Sequence, residues 1–154
     1  VWGSAATGAC LAILIKAQVV SEELFLIGFA ASFAAKLADT FGSEIGKRWG
    51  RKTVLITSLS LVPRGTDGAI SIEGTLASAF GSFLMTIIMV ICSLIPFSSI
   101  ALLVILVGFL ATLLESFLGA LVQDRYKWLN NELINCLQTS FASLLAIILT
   151  FIWF

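Results

Sequence analysis

Apolar residues run along this chain in long unbroken stretches, separated by short polar connections. A hydrocarbon core about 30 Å thick takes about 20 residues of helix to cross. Five stretches reach or approach that length, at about 2–20, 23–46, 72–94, 98–122 and 133–153. The runs are continuous and lack the period-two alternation of a β-barrel. The expected fold class is therefore all-α, a polytopic transmembrane bundle of about five helices, with residues 1–154 forming a single domain. Pro63 and Pro96 both fall between stretches, where a missing N–H costs little.

Composition agrees with this pattern. The chain is 59% hydrophobic and 12% charged, with a mean hydropathy of +1.07, far beyond the roughly 45–50% apolar share of soluble domains. It reads as an integral membrane protein. Nine basic residues balance nine acidic ones, so the charge gives no reason to expect a nucleic acid partner. Histidine is absent, which removes the usual general base and the usual metal or haem ligand. Cys10, Cys92 and Cys136 lie far apart in apolar runs and read as packing residues, without disulfide or metal spacing. The sequence opens on Val1 with no charged leader before its first apolar run, so no signal peptide is visible and the chain is expected to be a fragment or core of a longer protein.

Loop charges set the expected topology. The 2–3 connection holds Lys47, Arg48, Arg51, Lys52 and Arg64, and the 4–5 connection holds Arg125 and Lys127, whereas the 1–2 and 3–4 connections hold neither Lys nor Arg. Positive-inside bias therefore places both basic loops on the cytoplasmic, or stromal, face. Trp2, Trp49, Tyr126 and Trp128 would form the aromatic belt on that side and Trp153 on the other. The small residues of segment 1 and the Ala77/Gly81 pair favour close helix packing. Lys16 can snorkel to the headgroups.

Polarity inside the bundle is concentrated in a few places. On segment 2, Lys36, Asp39, Thr40, Ser43, Glu44 and Lys47 fall on one face roughly 140° wide. An ionisable side chain costs about 2.5–3.5 kcal/mol at mid-membrane, so this stripe must face a polar cavity or partners within the bundle. The plainer alternative is an internal salt-bridge ladder such as Lys36 to Asp39. The segment VPRGTDGAIS at residues 62–71 is turn sequence, in which Gly65 and Gly68 permit positive φ. Such turns can aim N–H groups at an anion, and the N-terminus of segment 3 would favour a phosphate near Ser71 to Thr75. Arg64 offers a forked cation to phosphate and Asp67 a hard ligand to Mg²⁺. An ordinary surface turn is the alternative, and GxxxxGK[ST] is absent.

Two further clusters complete the set. Glu115 and Ser116 interrupt segment 4, with Gln123 two turns on, and Asn131, Asn135, Gln138 and Thr139 open segment 5. All four clusters fall in the half of the bundle facing the basic loops. A transporter should carry polar groups through the midplane to both faces. Confinement to one leaflet suits an enzyme that meets a soluble substrate from one side and a lipid from the membrane. Acid, amide and cationic groups without His suit phosphoryl or nucleotidyl transfer, where catalysis is positioning and charge neutralisation.

The stretches ADTFGSEIGK (38–47), VPRGTDGAISIEGTLAS (62–78), LLESFLGALVQ (113–123) and NELIN (131–135) resemble the phytyl-phosphate kinase/transmembrane protein 19 family, which includes the chloroplast and cyanobacterial enzyme of tocopherol and phylloquinone synthesis. The resemblance covers most of residues 1–145. It implies Mg²⁺-dependent transfer of phosphate from a nucleoside triphosphate, CTP or another, to phytyl or another prenyl monophosphate, giving the diphosphate. More distantly the family is similar to membrane CTP-dependent lipid kinases. By that likeness Asp39, Ser43, Glu44 and Lys47 match an acidic helix motif, and Arg64 to Ser71, with Gly65, Thr66 and Gly68, match the phosphate loop that leads on to Thr75. Glu115-Ser116 stands where Asp-Ser is expected, which keeps the carboxylate and lengthens its reach. Further membrane helices are expected before WGSAATG (2–8).

The resulting expectation is an enzyme in which Asp39, Glu44, Lys47, Arg64 and Asp67 are catalytic. Asp39, Glu44, Asp67 and Glu115 supply metal ligands. Ser43, Lys47, Arg64, Gly65, Thr66, Gly68, Ser71 and Thr75 bind phosphate, and Lys36, Thr40, Ser116, Gln123, Asn131 and Asn135 line the site. Its partners are membrane lipids, the prenyl monophosphate and the nucleotide, with a homo-oligomer left open. The alternatives are a CTP-dependent lipid alcohol kinase or cytidylyltransferase with the same site, and an ion-coupled transporter using the segment 2 stripe.

Overall fold

The computed structural model describes residues 2–17, 21–122 and 130–153, apart from the side chains of Trp2, Ser4 and Val122. Five helices account for most of them: α1 (Trp2–Lys16), α2 (Glu22–Trp49), α3 (Ile72–Ile91), α4 (Ser99–Val122) and α5 (Asn131–Trp153). Four of these, α2 to α5, are long and apolar enough to cross a membrane. The expected first span departs from this. α1 has 15 residues, roughly 22 Å at about 1.5 Å per residue, short of the hydrocarbon thickness. It docks on α5, where the Thr7 hydroxyl meets those of Thr139 and Ser140 at 2.9 Å and the Gly3 N–H donates to Glu132 at 2.8 Å.

The order of α2 to α5 puts the α2–α3 connection and the α4–α5 connection at the same end of the bundle. Arg125, Tyr126, Lys127 and Trp128 lie outside the described residues. Trp49 and Trp153 are exposed, and the Arg48 guanidinium sits 5.2 Å from the Trp49 ring centre. Cys10 and Cys92 are exposed and Cys136 is half-buried; all three are free. The expectation of packing cysteines therefore fails at the first two, whose helix faces turn outward.

α2 is the central element and packs against all four other helices, most extensively α3. Alanine dominates its buried face: Ala30, Ala31, Ala34, Ala35 and Ala38 are fully enclosed, beside Ile27, Gly28 and Ser32. The bundle inverts the soluble pattern. Large apolar side chains such as Leu102, Leu106 and Leu110 on α4, or Leu137, Phe141 and Leu144 on α5, point outward. Lipid offers no hydrophobic gain for burying them, so close approach of small residues and interhelical hydrogen bonds hold the helices. A Cβ on Gly81 of α3 would lie 2.8 Å from the Leu37 carbonyl oxygen and 3.1 Å from Ala38 Cα, and one on Gly74 would lie 2.9 Å from the Gly42 carbonyl oxygen. Ser82 Oγ donates to the Ile105 carbonyl at 2.8 Å, Ser143 Oγ to the Gly28 carbonyl at 2.8 Å, and Gln138 Nε2 to the Ala35 carbonyl at 3.2 Å.

Helix ends follow from local chemistry. α2 has Glu22 and Glu23 in its first turn and Lys47 and Arg48 in its last, matching the helix dipole. Ser71 caps α3 by accepting from the Gly74 N–H at 3.1 Å. α3 closes with Ser93 at φ 57°, its N–H on the Val90 carbonyl and that of Leu94 on Met89, with Pro96 following. Asn130 Oδ1 caps α5 through the Leu133 N–H at 3.0 Å.

The α2–α3 connection adds a small sheet that the hydrophobic pattern did not predict. β1 (Val54–Leu55) pairs antiparallel with β2 (Ala69–Ile70), Val54 opposite Ile70, and Val54 also bridges to Leu61. The loop is thereby a folded unit whose return limb leads directly into α3.

Replacing Gly81 with Ala should lower stability by about 1–3 kcal/mol, because the added methyl meets rigid α2 backbone. Thermal unfolding in detergent would read this as a lowered midpoint, whereas Leu106→Ala, on the outward face of α4, should leave the midpoint within error.

Candidate functional site

A cavity of about 330 Å³ lies between the connection-bearing ends of α2, α4 and α5 and the folded loop, within the usual size range of small-ligand sites. The expected residues converge on it. Lys36, Asp39, Thr40, Ser43, Glu44 and Lys47 line it from α2, Gly65 to Gly68 and Ser71 from the loop, and Thr75 from α3. Glu115 and Ser116 complete it from α4, and Asn131 and Asn135 from α5. Asp39, Asp67 and Glu115 line it together with Lys36, so three carboxylates and a cation share one cavity.

The loop owes its shape to two successive turns. The Thr66 N–H reaches the Pro63 carbonyl at 3.3 Å and the Ala69 N–H reaches the Thr66 carbonyl at 3.0 Å. Each turn carries glycine third, Gly65 at φ 83° and Gly68 at φ 72°, the position where a type II turn requires positive φ. Lys47 runs beside Gly65, its Cγ and Cε 3.8 and 3.9 Å from where a Cβ would be. Gly68 is pressed onto α4, and a Cβ there would collide with the Ala120 backbone. The turn therefore fixes Asp67 between a cation-bearing helix and the end of α4.

The α2 stripe divides into a closed and an open part. Lys36 Nζ donates to Asp39 Oδ2 at 2.7 Å and to Asn135 Oδ1 at 3.0 Å, forming the one ion pair among the described residues. This satisfies the first rung of the salt-bridge alternative, and the ladder stops there. Thr40 and Ser43 donate to backbone carbonyls of their own helix, at Lys36 and Thr40. Glu44 and Lys47 are exposed to the cavity without an ion-pair partner among the described residues.

Some expected residues take other positions. Arg64 is not among the cavity-lining residues; its Nη1 reaches the Arg48 carbonyl at 3.5 Å, at the C-terminal end of α2. Ser71 lines the cavity with its hydroxyl already engaged in capping α3. Gln138 and Thr139 are buried helix-to-helix ties, and Gln123 lies outside the described residues. Asp39, Glu44, Asp67 and Glu115 all line the cavity, yet no three acidic side chains among the described residues gather at metal-ligating distance. A metal ion here would therefore be held by one or two carboxylates, with its remaining ligands coming from outside the acidic side chains.

Thr53 is the residue that sequence reasoning missed. It lines the cavity, is 8% exposed, and its Oγ1 has no hydrogen-bond partner. Its only sequence signal is its place between the basic RWGRK segment and the apolar pair Val54–Leu55 that forms β1.

Residues 1–143 match the family model described as integral membrane protein DUF92. The chain belongs to this family. It is 43% identical over 148 residues to the uncharacterized membrane protein sll0875 of Synechocystis, covering 96% of this chain and 57% of that one. It is 42% identical over 152 residues to protein VTE6, chloroplastic, of Arabidopsis thaliana, covering 96% and 45%. The uncharacterized membrane protein MJ0933 of Methanocaldococcus jannaschii is 38% identical over 126 residues, covering 80% and 51%. The chain thus spans about half the length of the curated relatives it matches. No solved structure matches it. The family to which its motifs pointed is the one these comparisons return.

Breaking the Lys36–Asp39 pair from one side should cost stability, since it strands a charge within the bundle; the pair is partly exposed, so about 1–3 kcal/mol is expected. Lys36→Met and Asp39→Leu should each lower the unfolding midpoint, and the double variant should recover most of the loss.

Proposed function

We propose that the chain forms the phosphate-transfer core of a membrane prenyl-phosphate kinase, moving a phosphoryl group from a nucleoside triphosphate to phytyl or another prenyl monophosphate. The observation that carries this reading is the convergence of Lys47, the double-glycine turn with Asp67, and Glu115 on one cavity at the loop end of the bundle. The kinship with chloroplastic VTE6 and the motif resemblance support it. We further place the loop end on the cytoplasmic or stromal face, on the strength of its Lys and Arg content.

In this reading an oxygen of the lipid phosphate attacks the γ-phosphorus of the nucleotide. The bond to the bridging oxygen breaks, and the nucleoside diphosphate leaves with the electron pair. The acceptor is already anionic, so no strong general base is required, which fits a chain without histidine. Lys47 neutralises phosphate charge beside the turn, and N–H groups of the loop and of the α3 N-terminus bind phosphate oxygens. Asp67 and Glu115 would hold Mg²⁺, which supplies charge neutralisation across the phosphates. Lys36, tied to Asp39 and Asn135, holds α2 and α5 in register behind them. Arg64 acts from the rim, orienting the loop on α2.

Purified protein with Mg²⁺, each of the four common nucleoside triphosphates, and phytyl or farnesyl monophosphate should form the prenyl diphosphate. Asp67→Asn and Lys47→Ala should each reduce turnover by about 10²–10³-fold, as loss of a charge-stabilising group does. Arg64→Ala should fall by less than ten-fold. Phosphorylation of the free prenyl alcohol would instead select an alcohol kinase, and transfer of the nucleotidyl group a cytidylyltransferase. Absence of nucleotide turnover and of nucleotide binding in the intact protein would overturn the enzyme reading in favour of transport.

A further inference from the structure

A second depression, of about 340 Å³, lies on the outer side of the α3 N-terminus. Its character is opposite to that of the polar cavity. Val54 and Ile70 of the hairpin form one wall, Ile72 and Leu76 of α3 the other, and Lys52 is its single charged lining residue. The two spaces are neighbours across a shared wall, because Ile70, Ser71 and Thr75 line both.

The groove also continues outward. Ile72, Leu76, Phe80 and Phe83 recur at spacings of four, four and three along α3 and are exposed, Ile72 by 76% and Leu76 by 66%. They form one ridge on α3, off the Gly74, Ser78 and Gly81 side that packs closely on α2. Phe41 of α2 lies beside this ridge, its ring centre 6.3 Å from that of Phe80. An apolar track along a membrane-length helix thus ends in an apolar groove with a lysine in its lining, and that groove abuts the polar cavity. A nucleotide could use only the polar side, and a bulk acyl chain only the track. A ligand that matches both has an anionic head and hydrocarbon starting immediately behind it.

We propose that this groove seats the carbons nearest the phosphate of the lipid substrate. A prenyl monophosphate moves along the outer face of α3, passes Lys52, and lays its first isoprene unit between the hairpin and Leu76. Its phosphate then lies at Ser71 and Thr75, which border the polar cavity. Leu76 and Ile72 are specificity-determining residues, because they set the width available to the tail directly behind the head. The proposal rests on the kinase reading for the identity of the lipid, and its test is built so that the two can fail separately.

The intact protein is reconstituted in lipid nanodiscs with a farnesyl monophosphate carrying a photoactivatable diazirine on its first isoprene unit, irradiated, and mapped by peptide mass spectrometry. Label concentrated on 70–76, displaced by unlabelled phytyl monophosphate, is the expected result. Label spread over the outward faces of α4 and α5, or undiminished by competitor, would overturn the groove, whether or not the protein transfers phosphate. In the same preparation Leu76→Trp should cut competed labelling at least five-fold and leave nucleotide binding unchanged, while Leu106→Trp on α4 should change neither. Where turnover is measurable, Leu76→Trp should raise KM for the lipid at least five-fold without moving KM for the nucleotide. Equal labelling in Leu76→Trp and the unsubstituted protein would overturn the assignment of Leu76.

Discussion

Everything at the loop end of this bundle depends on how near α3 comes to α2. The two backbones meet through Gly42 and Gly46 on one side and Gly74, Ser78 and Gly81 on the other. Helices normally pack 8–10 Å apart, according to the side chains between them, and glycine removes those side chains. That approach brings the N-terminus of α3 against the last turns of α2. The connecting loop must therefore fold back on itself to span the short gap, and its hairpin and two turns are how it does so. A side chain inserted between the helices would move the capped end of α3, the turn and Asp67 together.

The membrane-spanning bundle was legible because lipid demands long apolar runs, and those runs need little tertiary information to be recognised. The convergence of the polar clusters was legible too, since the α2 stripe, Glu115 and Asn135 are costly in hydrocarbon unless they share a cavity. Other features depended on neighbours that no local pattern names. Arg64 reaches the Arg48 carbonyl and turns away from the cavity, a choice made by the turn geometry. Ser71 stands in a turn suited to phosphate, but its hydroxyl is committed to the Gly74 N–H. The hairpin strands are two residues each, too short to show a period. Thr53 became interesting only through its buried, unpartnered hydroxyl.

The site also separates stiffness from exposure. At its inner end Lys36, Asp39 and Asn135 satisfy one another and tie α2 to α5. Towards the loop, Glu44, Lys47 and Asp67 line the cavity with no ion pair among the described residues. Charge that is neutralised internally cannot bind a ligand strongly, whereas charge held in place without a partner can. The gradient along one helix therefore divides a half whose charges satisfy one another from a half whose charges face the cavity.

The three-residue spacing of Lys36 and Asp39 has a consequence for biogenesis. Asn135, the other partner of Lys36, lies 99 residues further along the chain. At about 5–20 residues per second of synthesis, it emerges roughly 5–20 s later. During that interval α2 must enter the bilayer without α5. Because the lysine and aspartate are one turn apart on the same helix, they neutralise each other at once, and α2 can leave the translocon with that charge already compensated. Asn135 then finds a preformed dipole, and the last helix docks onto it.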